Sequence, residues 1–75
     1  MPDPLHKTIA TEVRAQMGRV QVNGSELARQ LGRSHTYVWR RLSGEVAFDL
    51  AELESVAEIL GVPASHFYPQ AERVA

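Results

Sequence analysis

Apolar residues recur at every fourth position near the start of the chain, where Leu5, Ile9, Val13 and Met17 form a single stripe. This spacing predicts a first helix. Asp3 and Pro4 are suited to open it, because Asp caps free N–H groups and proline at a first helical position has no donor to leave unpaired. Gly18 is the expected stop, with Val20 and Val22 following as an extended connector. A shorter pattern starts at Asn23, whose partner in a capping box is Glu26. It carries Leu27, Ala28 and Leu31 on its buried face and closes at Gly32. Ser34 then caps a third helix, His35 to Ser43, with Val38 and Leu42 one turn apart and Gly44 at its end. After the connector from Glu45 to Phe48, Asp49 and Glu52 repeat the capping box. Leu50, Leu53, Val56, Ala57 and Leu60 mark a fourth helix that ends at Gly61. Pro63 begins a last turn through Tyr68, with Phe67 as a plug for the core and Pro69 as its end.

Two short helices joined by a glycine turn bury little surface alone, so they must pack steeply on their neighbours, which is the helix-turn-helix arrangement. With no period-two alternation and no repeat, the pattern predicts an all-α domain. That domain is expected to span residues 1–75, with a core over about 4–68 and a tail, 69–75, that frays. A chain of 75 residues, 44% hydrophobic, can build one modest core and no large cleft. There is no cysteine, and His6, His35 and His66 are widely spaced, so neither a metal site nor a cofactor is expected. No phosphate loop and no nucleophile beside a base can be found, which excludes an enzyme acting on a small-molecule substrate. No apolar run approaches the roughly 20 residues that span a bilayer. The opening Met1-Pro2-Asp3-Pro4 lacks the regions of a signal peptide, so a cytoplasmic location is expected and a membrane partner is not.

Charge changes this picture, because the overall net of -1 conceals a segregation. From Leu5 to Gly44, Lys7, Arg14, Arg19, Arg29, Arg33, Arg40 and Arg41 face only Glu12 and Glu26, a net of +5. From Glu45 onward six carboxylates stand against Arg73 alone, a net of -5. Folded, such a chain is a dipole with one face attractive to phosphate.

The run Ser25-Glu-Leu-Ala-Arg-Gln-Leu-Gly32-Arg-Ser34-His-Thr-Tyr-Val38-Trp-Arg-Arg-Leu42-Ser-Gly44 resembles the Cro and phage-repressor (XRE-type) helix-turn-helix family. The later Leu53-Glu-Ser-Val56-Ala57-Glu-Ile-Leu60-Gly61-Val62, followed by Phe67, is similar to that family's fourth and fifth helices. The likeness therefore covers roughly residues 5–68. It implies a compact five-helix, lambda-repressor-like domain whose third helix lies in the major groove of double-stranded DNA. Carried over by position, it implies base reading by His35, Thr36 and Arg40. It also implies backbone contacts by Asn23, Arg33, Ser34, Tyr37 and Arg41. Three positions depart from the pattern. Gly24 stands where a glutamine often touches phosphate. Arg41 takes a usually apolar position, its stem expected on the core and its head toward DNA. Leu42 replaces a common glutamate, so a Met17–Leu42 contact is expected in place of an ion pair.

Each of these residues also has a plain reading. Arg40 has the fork that pairs with guanine N7 and O6, yet alone it is a solvated surface arginine. His35 and Thr36 are ordinary polar groups of a first helical turn. Lys7, Arg14, Arg19, Arg29 and Arg33 suit phosphate contacts or simply a wet face. Trp39 falls toward the side of the third helix, where packing on a neighbour is expected ahead of DNA contact. Phe48, Leu50, Leu53, Phe67 and Tyr68 are expected in the core, or in a dimer patch where exposed. The functional expectation is a Cro-like repressor occupying an operator, as a homodimer on two half-sites. A protein-binding adaptor and an antitoxin module are the alternatives within the same fold. The antitoxin reading is weakened by the shortness of the segment after Tyr68.

Overall fold

The computed structural model describes residues 4–69. Four α-helices follow one another: α1 (Leu5–Val20), α2 (Gly24–Leu31), α3 (His35–Leu42) and α4 (Leu50–Leu60). The fifth element, Ala64–Phe67, is a single 3₁₀ turn, which corrects the expectation of five helices. Pro63 precedes that turn and Pro69 follows soon after it, so four residues are all that fit before proline interrupts the hydrogen-bond ladder. Among the described residues there is no strand.

The start and end of α1 both differ from the sequence expectation. Pro4 itself occupies the N-cap position, without a side-chain cap, and Asp3 lies outside the described residues. The helix passes through Gly18 and ends at Gln21, which takes the left-handed conformation at φ 60°. What stops the helix there is an apolar anchor. Val22 packs against the core, and the N–H groups of Gln21 and Val22 both turn back to the Met17 carbonyl. Val20 is consequently helical and exposed, not part of a connector.

The other caps are local and follow the sequence. Asn23 Oδ1 accepts from the Glu26 N–H at 2.8 Å, and Ser34 Oγ from the Tyr37 N–H at 3.1 Å. The Asp49–Glu52 capping box is complete in both directions, at 2.7 and 2.9 Å. The Asn23–Glu26 box is only half made, because the Glu26 carboxylate turns outward to Arg29 and Gln30.

The helices close around one core. α1 contributes Ile9, Val13 and Met17, α2 contributes Leu27 and Ala28, and α3 contributes Val38 and Leu42. α4 adds Leu53, Val56, Ala57 and Leu60, and Phe67 seals the far end from the 3₁₀ turn. Met17 and Leu42 share this cluster, so apolar packing stands where an ion pair was the alternative. Leu50 does not join it and is 62% exposed. At the first position of a helix the Cβ points back past the helix end, so the side chain overshoots the core. Phe48 from the connector packs against the core instead.

Two polar side chains of α1 tie the bundle together. Gln16 is buried, donating to the Leu60 carbonyl at 3.3 Å while its Oε1 accepts from Arg19 at 3.2 Å. Arg14 donates to the Leu42 carbonyl. Each satisfies a carbonyl at a helix C-terminus, and Arg14 adds a positive charge where the helix dipole is negative. At the end of α3, Gly44 adopts φ 86°, and a Cβ there would come within 3.1 Å of Lys7 Cγ. The positive φ is what favours glycine at this position, and the lysine contact adds to it.

Candidate nucleic-acid interface

The α2–α3 unit is built by a tight turn at Gly32, whose φ of 70° suits glycine. The Arg33 N–H closes the end of α2 on the Ala28 carbonyl at 3.1 Å, and Ser34 starts α3 at once. Because Val38 and Leu42 are drawn into the core, the opposite side of α3 is forced outward. That side carries His35, Thr36, Trp39 and Arg40, all exposed. His35 and Trp39 are one turn apart, as are Thr36 and Arg40, so the four make a continuous surface.

The N-terminus of α2 abuts this surface. A Cβ built on Gly24 would lie 3.9 Å from His35 Nε2, 4.0 Å from Trp39 Cε3 and 3.7 Å from Leu42 Cδ1. Asn23 and the outer face of α3 are thus neighbours, although twelve residues of sequence separate Asn23 from His35. The two capping residues retain donor capacity. Ser34 Oγ accepts from an N–H and keeps its own proton to give, and Asn23 uses Oδ1 while its amide NH₂ is a separate donor.

The cations divide into those held by the protein and those presented outward. Arg29 is paired with Glu26, a link that raises the Arg29 pKa. The Arg29 hydrogen bond, and after it that of Gln30, keep the Glu26 carboxyl below the ordinary carboxylate range. Arg14 is committed to Leu42, and Arg19 to Gln16. Arg40 is 56% exposed, with its Nε 3.6 Å from Glu45 Oε1, a loose pair on the surface. Such pairs contribute little, so a better partner displaces them readily. Arg33 is exposed, its guanidinium 4.9 Å from the centre of the Tyr37 ring.

Arg41 and Tyr37 are placed differently from the expectation. The Arg41 stem does lie inward, but the head follows it. Its Nε donates to Glu52 Oε1 at 3.1 Å, its Nη1 donates to the Tyr37 carbonyl at 3.1 Å, and the guanidinium stacks 3.6 Å from the Tyr37 ring centre. With 16% of the side chain exposed, this charge is turned to Glu52 and not to the outer face of α3. Tyr37 is half-buried beneath the two arginines. Trp39, expected to pack inward, is 60% exposed. The helical register carries the signal: Val38 and Leu42 claim the core-facing positions, and Trp39 shares its face with His35, not with them.

An exposed recognition-type helix beside a donor-rich helix start has a family context. The chain belongs to the BetR domain family. The family model matches residues 5–75. A crystal structure described as that of a hypothetical transcription factor NHTF from Neisseria is similar over 99% of this chain and 88% of the other. The identity is 31% and the TM-score 0.82. No curated protein matches significantly. The BetR domain thus shares an all-helical, helix-turn-helix-like fold with a protein described as a hypothetical transcription factor. Together the family and the neighbour suggest transcription-factor-like DNA binding. Among the described residues no helix of this BetR domain is long and apolar enough to cross a membrane.

Proposed function

We propose that this BetR domain is a sequence-specific regulator that represses transcription by occupying an operator, with α3 in the major groove and with no catalytic step. One observation carries the reading: α3 presents His35, Thr36 and Arg40 outward directly beside the N-terminus of α2, where Asn23 and the first-turn N–H groups suit a phosphate. His35, Thr36 and Arg40 read bases, and Ser34, Asn23 and Arg33 hold the backbone. Arg41 is left out of the phosphate set because Glu52 holds it, and Tyr37 serves mainly as the surface on which Arg33 and Arg41 stack. A module of this size touches few base pairs, so specific occupation takes two copies on half-sites about 34 Å apart.

The test is selection of sites from a random duplex library, followed by anisotropy titration of the enriched site at several salt concentrations. An enriched palindromic motif with steep salt dependence is the expected result. Absence of any motif, with weak and salt-insensitive binding, would remove the DNA-binding reading. On the enriched site Arg40→Ala is expected to lose about 1 to 3 kcal/mol, with little loss on random DNA. Equal losses on both would make Arg40 a phosphate contact. Arg33→Ala is expected to weaken binding to all sequences alike and to lower the salt slope by about one. An unchanged slope would take Arg33 out of the interface.

A further inference from the structure

Trp39 is the one tryptophan of the chain and stands 60% exposed in the middle of the face assigned to DNA. An exposed indole offers a large apolar surface with a polar N–H at one edge. Its ring meets that of His35, with centroids 6.4 Å apart and planes tilted by 49°. Together with Thr36, the two rings bound an open, mainly apolar notch in the surface of α3. Gly24 stands behind them, where a Cβ would lie within 4.0 Å of both rings. Glycine there leaves the rings without a side chain from α2 packed against them.

We propose that this notch receives the 5-methyl group of a thymine, and that Trp39 is the residue that senses it. The proposal rests on the DNA-binding reading above. Of the base edges in the major groove, only that of thymine carries an apolar group, and it sits next to the O4 acceptor. The indole and the Thr36 methyl take the thymine methyl out of water, and an imidazole N–H at the rim matches O4. A nucleic-acid occupant fits the surroundings better than an apolar peptide does. The notch lies between the α2 N-terminus and Arg40, in the half of the chain with a net charge of +5.

Replacing each thymine of the selected site in turn by uracil removes the methyl and nothing else that pairs or hydrogen-bonds. In anisotropy titrations one such position per half-site is expected to weaken the wild type about fourfold, the worth of one buried methyl-sized group. Trp39→Ala is expected to bind the thymine and uracil duplexes equally. An equal uracil penalty in both proteins, or none at any position in the wild type, overturns the proposal. The emission of Trp39 gives a second reading that needs no variant. It is expected to shift more on binding the thymine duplex than the uracil one, and identical shifts overturn the proposal. Failure of the library to yield any site would remove the sequence-specific reading, and this proposal with it.

Discussion

Phe67→Ala is expected to lower the unfolding free energy by about 3 to 5 kcal/mol. The Phe67 ring has no solvent exposure, and the turn that carries it packs against both α1 and α4. Truncation removes the ring's transfer energy and leaves a cavity between two helices that cannot easily close. The turn is pinned by Pro63, whose carbonyl accepts the His66 N–H at 2.9 Å, and by the Tyr68 N–H on the Ser65 carbonyl at 3.2 Å. Backbone relaxation is therefore limited, and the full cavity cost is expected. For a domain of this length the whole stability is about 4 to 11 kcal/mol, so the loss is a large share of it. Urea denaturation checks it: the midpoint falls while the slope stays near the wild-type value. A loss under about 1 kcal/mol would mean that the four helices hold the core without the plug.

Glu52→Ala is expected to cost about 2 to 4 kcal/mol, somewhat less than a fully buried pair because both side chains keep a little exposure. One carboxylate oxygen, Glu52 Oε1, serves two donors: Arg41 Nε and the Asp49 N–H at the start of α4. Alanine removes half the capping box and takes the carboxylate partner of Arg41 out of a recess lined by Leu31, Val38 and Phe48 and, on its polar side, by Asp49 and Ser55. The Tyr37 carbonyl and ring remain as partners but carry no formal negative charge. Removing both charges, as in Arg41→Met with Glu52→Ala, is expected to recover much of the loss, because no desolvated charge is then left unpaired. Thermal unfolding of Glu52→Ala, Arg41→Met and the double variant closes the cycle. A double variant as unstable as Glu52→Ala alone would show that the capping box, not the ion pair, carries the effect.

Much of the geometry of the candidate interface could be read along the chain because it rests on short-range chemistry. Ser34 and Asn23 announce themselves as caps, each three residues ahead of the N–H it accepts, and Gly32 marks the turn between them. The register of α3 follows from Val38 and Leu42 alone, and it already implies that His35, Thr36 and Arg40 point outward. Applied to Trp39, the same register argues for exposure. The expectation of packing on a neighbour placed it at the side of the helix, and no neighbouring element covers that side, so it stands 60% exposed. The Glu45 carboxylate beside Arg40 is also a local feature, five residues away, that the pattern of charges alone did not single out.

Other features depend on where the chain folds back. Arg41 looks like a phosphate contact from its neighbours in sequence, and only the approach of α4 delivers Glu52 to claim it. Arg14 reads as one more surface cation until the C-terminus of α3 is packed across α1, 28 residues away. Gly18 looks like a helix stop, yet α1 continues until Val22 finds the core, because an apolar anchor outweighs the modest helical penalty of glycine. By itself the sequence determined the four helices, three of their caps and the outward face of α3, since each depends on spacing and hydrogen bonds within a few residues. Only the tertiary structure decided which arginines are held by protein partners and how α2 meets His35 and Trp39. Those outcomes depend on charges, rings and carbonyls brought together from distant parts of the chain.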